Sequence, residues 1–109
     1  MAADPQDIAR TESLFRDVNE RIAETAKSLG SDRAVFVCEC ADPECDQRFE
    51  VGLETYESVR ADGTRFLVVI GHEEPHYEKV LQGRSNLRVV SKDKDERVRR
   101  AVCDLDPRD

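Results

Sequence analysis

The chain has 109 residues, of which 38% are charged and 6% are aromatic, and it contains no tryptophan. Its 17 basic and 24 acidic residues give a net charge of −7, which argues against binding to nucleic-acid phosphates. No apolar run approaches the roughly 20 residues of a membrane helix, and no apolar signal segment follows Met1. The composition predicts one cytoplasmic domain whose small core would gain from a metal or disulfide cross-link.

The first predicted element is a long helix over residues 7–29, which follows a disordered N-terminus over residues 1–6. Pro5 suits a first turn and Gly30 is a stop signal, while Asp4 or Asp7 can cap the start. Apolar side chains recur at helical spacing on one side, and charged side chains occupy the other. The apolar set is Ile8, Phe15, Val18, Ile22, Ala26 and Leu29, and the charged set is Arg10, Glu12, Arg16, Asp17, Glu20 and Glu24. We expect the apolar side to pack on the domain, with a helix-mediated homodimer as the alternative.

The next predicted elements form a β-hairpin followed by a short helix. Residues 34–38 are rich in β-branched and aromatic side chains, and residues 47–51 alternate between polar and apolar, so both indicate strands. The turn-forming residues 42–44 lie between them. Residues 53–61 carry apolar side chains at helical spacing and end at a glycine turn, which predicts a short amphipathic helix.

The last part of the chain is predicted to complete a sheet and end in a tail. Residues 65–70 are the most apolar strand and are expected at the sheet centre. A loop over residues 71–75 leads to a predicted short helix over residues 76–82. The last strand covers residues 87–90. Residues 92–109 mix both charge signs and are predicted to be a flexible or weakly helical tail.

Three of the four cysteines fall within eight residues, in the hairpin loop. Cys38 and Cys40 are two residues apart, so in an extended chain both sulfurs point to the same face. The Asp-Pro turn that follows brings Cys45 back toward them. Three soft thiolate ligands from one hairpin suit tetrahedral zinc, and in a reducing compartment they indicate a metal rather than disulfides.

The fourth ligand has to come from elsewhere in the chain. His72 is preferred because it follows the apolar strand and Gly71, where the backbone can turn sharply. His76 and Cys103 are the competing candidates. The sequence therefore predicts one structural Zn²⁺ on Cys38, Cys40, Cys45 and His72, with either competitor able to replace the histidine.

Other chemistries of the cysteine group remain as alternatives: an iron–sulfur cluster or another soft metal, thiol redox chemistry, and plain buried cysteines. Acidic neighbours should raise the thiol pKa values, which favours a bound dication over a reactive thiolate. A catalytic zinc is disfavoured because a three-thiolate site is a poor Lewis acid, although Glu73 and Glu74 adjoin His72. The deaminase signature is incomplete, since no Cys-x-x-Cys is present.

Three segments together resemble a family of small uncharacterised actinobacterial proteins. They are FVCECADPEC from Phe36, VGLETYESVR from Val51 and RFLVVIGH from Arg65, and the resemblance spans roughly residues 10–91. Gly52 and Ile70 depart from the family pattern, which usually has a Ser or Thr helix cap and a proline there. The resemblance implies Cys-x-Cys-x4-Cys and Gly-His ligands and carries no activity.

The sequence as a whole predicts an α+β fold. A long N-terminal helix would pack on a small, mostly antiparallel sheet with a metal-stapled β-hairpin, in one zinc-stabilised domain over residues 7–91. The favoured function is a non-enzymatic protein-interaction or regulatory module that binds another protein, with no nucleic acid and no membrane. A thiol/zinc redox or metal sensor is the alternative, and a zinc hydrolase or deaminase is the least favoured.

Overall fold

A computed structural model of the protein describes residues 4–84, 86–92 and 94–108. The first three residues of the predicted disordered N-terminus lie outside the described residues, and Pro5 and Gln6 belong to the first helix. The described elements, in chain order, are α1 (Pro5–Ser28), β1 (Arg33–Val37), β2 (Arg48–Gly52), α2 (Leu53–Arg60), β3 (Arg65–Val69), β4 (Lys79–Arg84), β5 (Leu87–Ser91) and α3 (Glu96–Asp104). The predicted α+β fold, with its long N-terminal helix and small antiparallel sheets, is confirmed.

The described strands form two antiparallel sheets. β1 and β2 make the predicted hairpin, in which Phe36 lies opposite Phe49. The second sheet has the order β3-β5-β4. Because β5 lies in the middle, the prediction that placed residues 65–70 at the sheet centre is wrong.

The edge of β3 that does not pair with β5 is covered by the cysteine loop. Glu39 N–H donates to Leu67 O (2.9 Å), and Val69 N–H donates to Cys38 Sγ (3.2 Å). The cysteine loop thus lies along β3 where a further strand would otherwise pair. The side chains of Phe66, Leu67 and Val68, which project from the faces of the sheet, are fully buried as well. This contact joins the hairpin to the three-stranded sheet.

The predicted short amphipathic helix is confirmed as α2, which follows β2 directly. Leu53, Tyr56 and Val59 are buried, at the helical spacing that the sequence shows. The Tyr56 ring stacks on Phe36 with 4.5 Å between ring centroids. Leu53 N–H donates to Asp32 O (2.8 Å), which ties the start of α2 to the connector before β1.

α1 begins and ends as its sequence indicates, but it is rotated relative to the predicted apolar side. Asp4 caps the first turn by accepting from Gln6 N–H (2.7 Å), and Gly30 follows the helix with φ +71°. Val18 is 39% exposed and Leu29 is 79% exposed, so the expectation that they face the core is wrong. The buried side of α1 consists of Ile8, Ala9, Glu12, Ser13, Arg16, Asn19, Ala23 and Ala26.

Three of the polar residues on this buried side, Glu12, Arg16 and Asn19, have partners in the interior. Arg16 donates to Gly63 O (2.7 Å) and to Val102 O (2.9 Å), and its guanidinium carbon lies 4.3 Å from the centroid of the Phe66 ring. Lys92 approaches the same ring, with Nζ 4.9 Å from the centroid, and forms ion pairs with Glu12 and Glu78. Paired charges can be buried where unpaired ones cannot, and hydrophobic periodicity does not reveal the pairing.

The predicted helix over residues 76–82 is wrong, because β4 (Lys79–Arg84) pairs with β5 instead. The ladder has an irregularity between Val80 and Gln82. A helix of seven residues has too few internal hydrogen bonds to offset its nucleation cost, whereas pairing with β5 supplies a bond network directly. Both of the larger apolar residues of β4, Val80 and Leu81, are partly exposed.

The charged segment over residues 92–109 contains α3 (Glu96–Asp104). Asp95 caps this helix by accepting from Arg97 N–H (2.9 Å). Its buried residues Val98, Ala101 and Val102 lie on the side that contacts α1. The division of the chain at residue 91 stays a prediction. Among the described residues, no helix has both the length and the apolarity needed to cross a bilayer.

Candidate metal centre

The cysteines lie in the loop that joins β1 to β2. Cys38 N–H donates to Gln47 O (3.0 Å), which closes the base of the loop directly after the last β1 residue. At the tip, Cys45 N–H donates to Asp42 O (3.1 Å), and Glu44 N–H donates to Asp42 Oδ1 (2.9 Å). These turn contacts bring Cys45 back toward the first two cysteines, as the Asp-Pro turn predicts.

His72 reaches the loop from the end of β3. Its N–H donates to Val69 O (2.9 Å), which reverses the chain after the strand. Gly71 makes this turn with φ +89°, a conformation that residues with a Cβ rarely adopt. The turn places His72 Nδ1 3.4 Å from Cys45 Sγ and 3.7 Å from Cys38 Sγ.

The ligand atoms of Cys38, Cys40, Cys45 and His72 all lie within 4.8 Å of one another. A tetrahedral zinc ion with three sulfurs and one nitrogen has ligand–ligand separations of about 3.5–3.8 Å. The two nitrogen–sulfur distances, 3.4 and 3.7 Å, are close to this spacing. The group is therefore compatible with one metal ion held by three thiolates and an imidazole.

The two competing ligands are not brought to this group. His76 is exposed in the turn before β4, where its ring lies next to Tyr77. Cys103 is exposed on α3. All four cysteines are free thiols, so none of them is taken up by a disulfide.

Burial divides the four candidate ligands into an inner and an outer pair. Cys38 and Cys40 are buried, whereas Cys45 and His72 are half-buried. Cys38 Sγ also accepts the Val69 N–H, a backbone bond that stabilises a thiolate. A recess of about 240 Å³ adjoins the group on its solvent side, and its lining includes Cys40, His72 and Glu74.

Crowding makes the three thiols unequal. Hydrogen bonding from Cys38 lowers the pKa of Cys40 to about 5, and the same contact raises the pKa of Cys38 far above its usual range. Burial raises the pKa of Cys45. The group thus holds one thiolate readily, and three thiolates at this spacing need a cation among them.

The expectation that acidic neighbours raise all the thiol pKa values is wrong for Cys40. In the structure the main causes are burial and the adjacent sulfurs. Glu39, the acidic residue closest in sequence, points away from the sulfurs and into the core, where its side chain is fully buried. Its direction follows from the alternation of an extended chain, because the cysteines on either side occupy the opposite face.

Two residues that support the loop from inside the protein were not predicted as part of the site. They are Glu39 in the loop and Asn19 on α1, which donates to Glu39 Oε2 (2.7 Å). The alternation around Glu39 could have indicated its inward direction, but nothing in the helical pattern distinguishes Asn19 from a surface asparagine.

Comparison of the chain with models of known protein families, with curated proteins and with solved structures gives no match. What bears on function is therefore the geometry of the Cys38, Cys40, Cys45 and His72 group and the surface around it.

Proposed function

We propose that this chain is a zinc-stabilised, non-enzymatic protein-interaction module that works in a reducing compartment such as the cytoplasm. The observation that carries the proposal is the convergence of three cysteines and one histidine, whose ligand atoms lie within 4.8 Å of one another. One Zn²⁺ binds to Cys38, Cys40, Cys45 and His72. Four protein ligands fill a tetrahedral site and leave no position for a reacting water, as in structural zinc sites.

A metal here would act as a cross-link between the two sheets. The cysteines belong to the β1–β2 hairpin, while His72 lies in the turn that follows β3 of the three-stranded sheet. Twenty-six residues lie between Cys45 and His72, so binding restricts a long stretch of the unfolded chain. A domain with few aromatic residues and many buried charges gains stability from such a link.

The interaction surface in this proposal is a groove between α1 and β1. It has a volume of about 520 Å³, and its lining includes Val18, Ile22, Leu29 and Ala34. Val18 and Leu29 belong to the predicted apolar side of α1 and are exposed, whereas Ile22 of α1 and Ala34 of β1 are partly buried. A contiguous apolar surface on a highly charged chain favours contact with another protein, and a second copy of this chain is the first partner to test.

The metal is tested by elemental analysis of protein purified without chelator. We expect one zinc per chain in the wild type and in Cys103→Ser, whose thiol is exposed and outside the group. Cys40→Ser should lose most of the metal and unfold at a lower temperature. The proposal fails if the wild type carries no stoichiometric metal and melts at the same temperature as Cys40→Ser.

The groove is tested by measuring molar mass in solution with light scattering. If the groove holds a second copy, Leu29→Asp should shift the chain from dimer to monomer at the same concentration. Leu81→Asp is the matched control, because Leu81 is also an exposed leucine but lies on β4. A wild-type chain that stays monomeric at about 100 µM would exclude the homodimer.

A redox or metal sensor is the second candidate, and the half-buried position of Cys45 supports it. Hydrogen peroxide would oxidise two thiolates to a disulfide, taking up two protons and forming two waters, and the metal would lose two ligands. Titration with peroxide beside a zinc-responsive dye tests this. Metal that stays bound in sub-millimolar peroxide would remove the sensor role.

A further inference from the structure

Glu39 lies between two of the candidate ligands, yet its carboxylate is bound inside the protein. Its Oε2 accepts from Asn19 Nδ2 (2.7 Å), and its Oε1 accepts from Leu67 N–H (2.9 Å). Its own N–H donates to Leu67 O (2.9 Å). Three hydrogen bonds therefore hold this one residue of the loop against α1 and β3.

Asn19 fixes the start of the same loop from α1. Its Oδ1 accepts from Val37 N–H (2.8 Å), and its Nδ2 donates to Val37 O (2.9 Å) as well as to Glu39. The amide thus pairs with the backbone of β1 in the way a neighbouring strand would. Because Oδ1 accepts from Val37 N–H, the Nδ2 group faces the Glu39 carboxylate. A flip of the amide would break both hydrogen bonds.

We propose that Asn19 and Glu39 are positioning residues that set the metal affinity of the loop by holding Cys38 and Cys40 in place before the metal binds. This inference rests on the proposed metal site. Neither residue touches the metal. Their effect is to order the backbone on both sides of Cys38, so that metal binding does not have to order it.

The direction of the hydrogen bonds makes the pair specific. Glutamine at position 39 has the shape of glutamate, but it carries one acceptor and one donor group where two acceptors are needed. The NH₂ group of this glutamine has to face either the Nδ2 of Asn19 or the N–H of Leu67. Both arrangements put two donors together. Exchanging the roles in Asn19→Asp with Glu39→Gln restores an acceptor opposite the new donor. One conflict remains, because a carboxylate oxygen at position 19 then faces Val37 O.

The experiment measures metal affinity by competition with a chromophoric chelator, using Zn²⁺ and Co²⁺ on the full chain. We expect Glu39→Gln to weaken binding about 10- to 100-fold, the range found for residues that orient metal ligands. The double variant Asn19→Asp/Glu39→Gln should bind the metal more tightly than Glu39→Gln and less tightly than the wild type, because Val37 O still lacks a donor. The Co²⁺ absorption of the three-thiolate site should be weaker in Glu39→Gln than in the wild type at the same Co²⁺ concentration. It should increase again in the double variant.

Val102→Ala is the matched control, since Val102 is fully buried but lies on α3. It should lower the melting temperature and leave metal affinity within about twofold of the wild type. Glu39→Gln with wild-type affinity, or Val102→Ala with the same loss of affinity as Glu39→Gln, would overturn the positioning role. If Glu39→Gln does not fold, Asn19→Ser supplies the same comparison, and affinity within twofold of wild type would again overturn it.

The failure of this inference is distinct from that of the proposed function. A wild-type chain that binds no metal removes both. A wild-type chain that binds one metal tightly, with Glu39→Gln binding equally well, removes only the role of Asn19 and Glu39.

Discussion

Replacing Lys92 by methionine should be among the most destabilising single changes in this domain, although the unbranched side chain becomes only one atom shorter. Lys92 and Glu12 are 0% exposed and Glu78 is 3% exposed, and the ammonium group forms ion pairs with both carboxylates. The Lys92 N–H bond to Thr64 O (2.9 Å) belongs to the backbone and survives the change. What the change removes is the charge that two buried carboxylates share.

Removing one partner of a buried ion pair costs about 3–5 kcal/mol, because the other charge is left uncompensated. For 109 residues the entropy of unfolding is about 0.23 kcal/mol/K, so the melting temperature should fall by about 13–22 °C. The cost should be smaller at low pH. Burial already raises the pKa of Glu12, and loss of Lys92 raises this pKa further. Folding of the variant therefore takes up a proton, and its free energy of unfolding increases as the pH falls from 7 toward 5.

Thermal unfolding followed by circular dichroism, at fixed metal concentration, measures the effect. Lys94→Met is the control, since Lys94 is an exposed lysine and should change stability by less than about 0.5 kcal/mol. Neutralising the whole group in Glu12→Gln/Glu78→Gln/Lys92→Met should recover much of the loss. If Lys92→Met melts within about 4 °C of the wild type, the reasoning about a buried, paired lysine is refuted.

Two further predictions concern the surface and the turn before His72. A hydrogen bond from Arg108 lowers the pKa of Glu57 to about 2, so the stabilisation is present above pH 4.5 and is lost as the pH falls through 2. Glu57→Gln should therefore lower the free energy of unfolding by about 1 kcal/mol at pH 7. The difference in melting temperature between this variant and the wild type should vanish near pH 2. Gly71→Ala, at φ +89°, should cost about 1–2 kcal/mol and weaken metal binding, whereas Gly30→Ala, at φ +71°, should cost as much and leave metal affinity unchanged. Equal metal affinities in the two alanine variants, measured by chelator competition, would contradict the role given to the turn at Gly71.

Much of the secondary structure could be predicted from local patterns. Turn residues, caps and apolar periodicity placed α1, the β1–β2 hairpin, α2 and β3 close to their observed bounds, because each of these signals acts within a few residues. The prediction failed over residues 76–82, where the pairing of β4 with β5 decides the conformation. A short segment with mixed propensity takes the structure that its neighbours in space can bond, and those neighbours are distant in sequence.

The sequence by itself determined which residues could form a soft-metal group, since three clustered cysteines and a histidine after Gly71 carry that chemistry in their side chains. Only the tertiary structure decided which histidine meets the sulfurs and what lies beneath them. Glu12, Arg16, Asn19 and Glu39 look like surface residues in the sequence. They are buried because each has a hydrogen-bond or charge partner that is distant in sequence: Lys92 for Glu12, Gly63 O and Val102 O for Arg16, Val37 for Asn19, and Leu67 for Glu39. Such distant partners do not affect the local periodicity of the sequence.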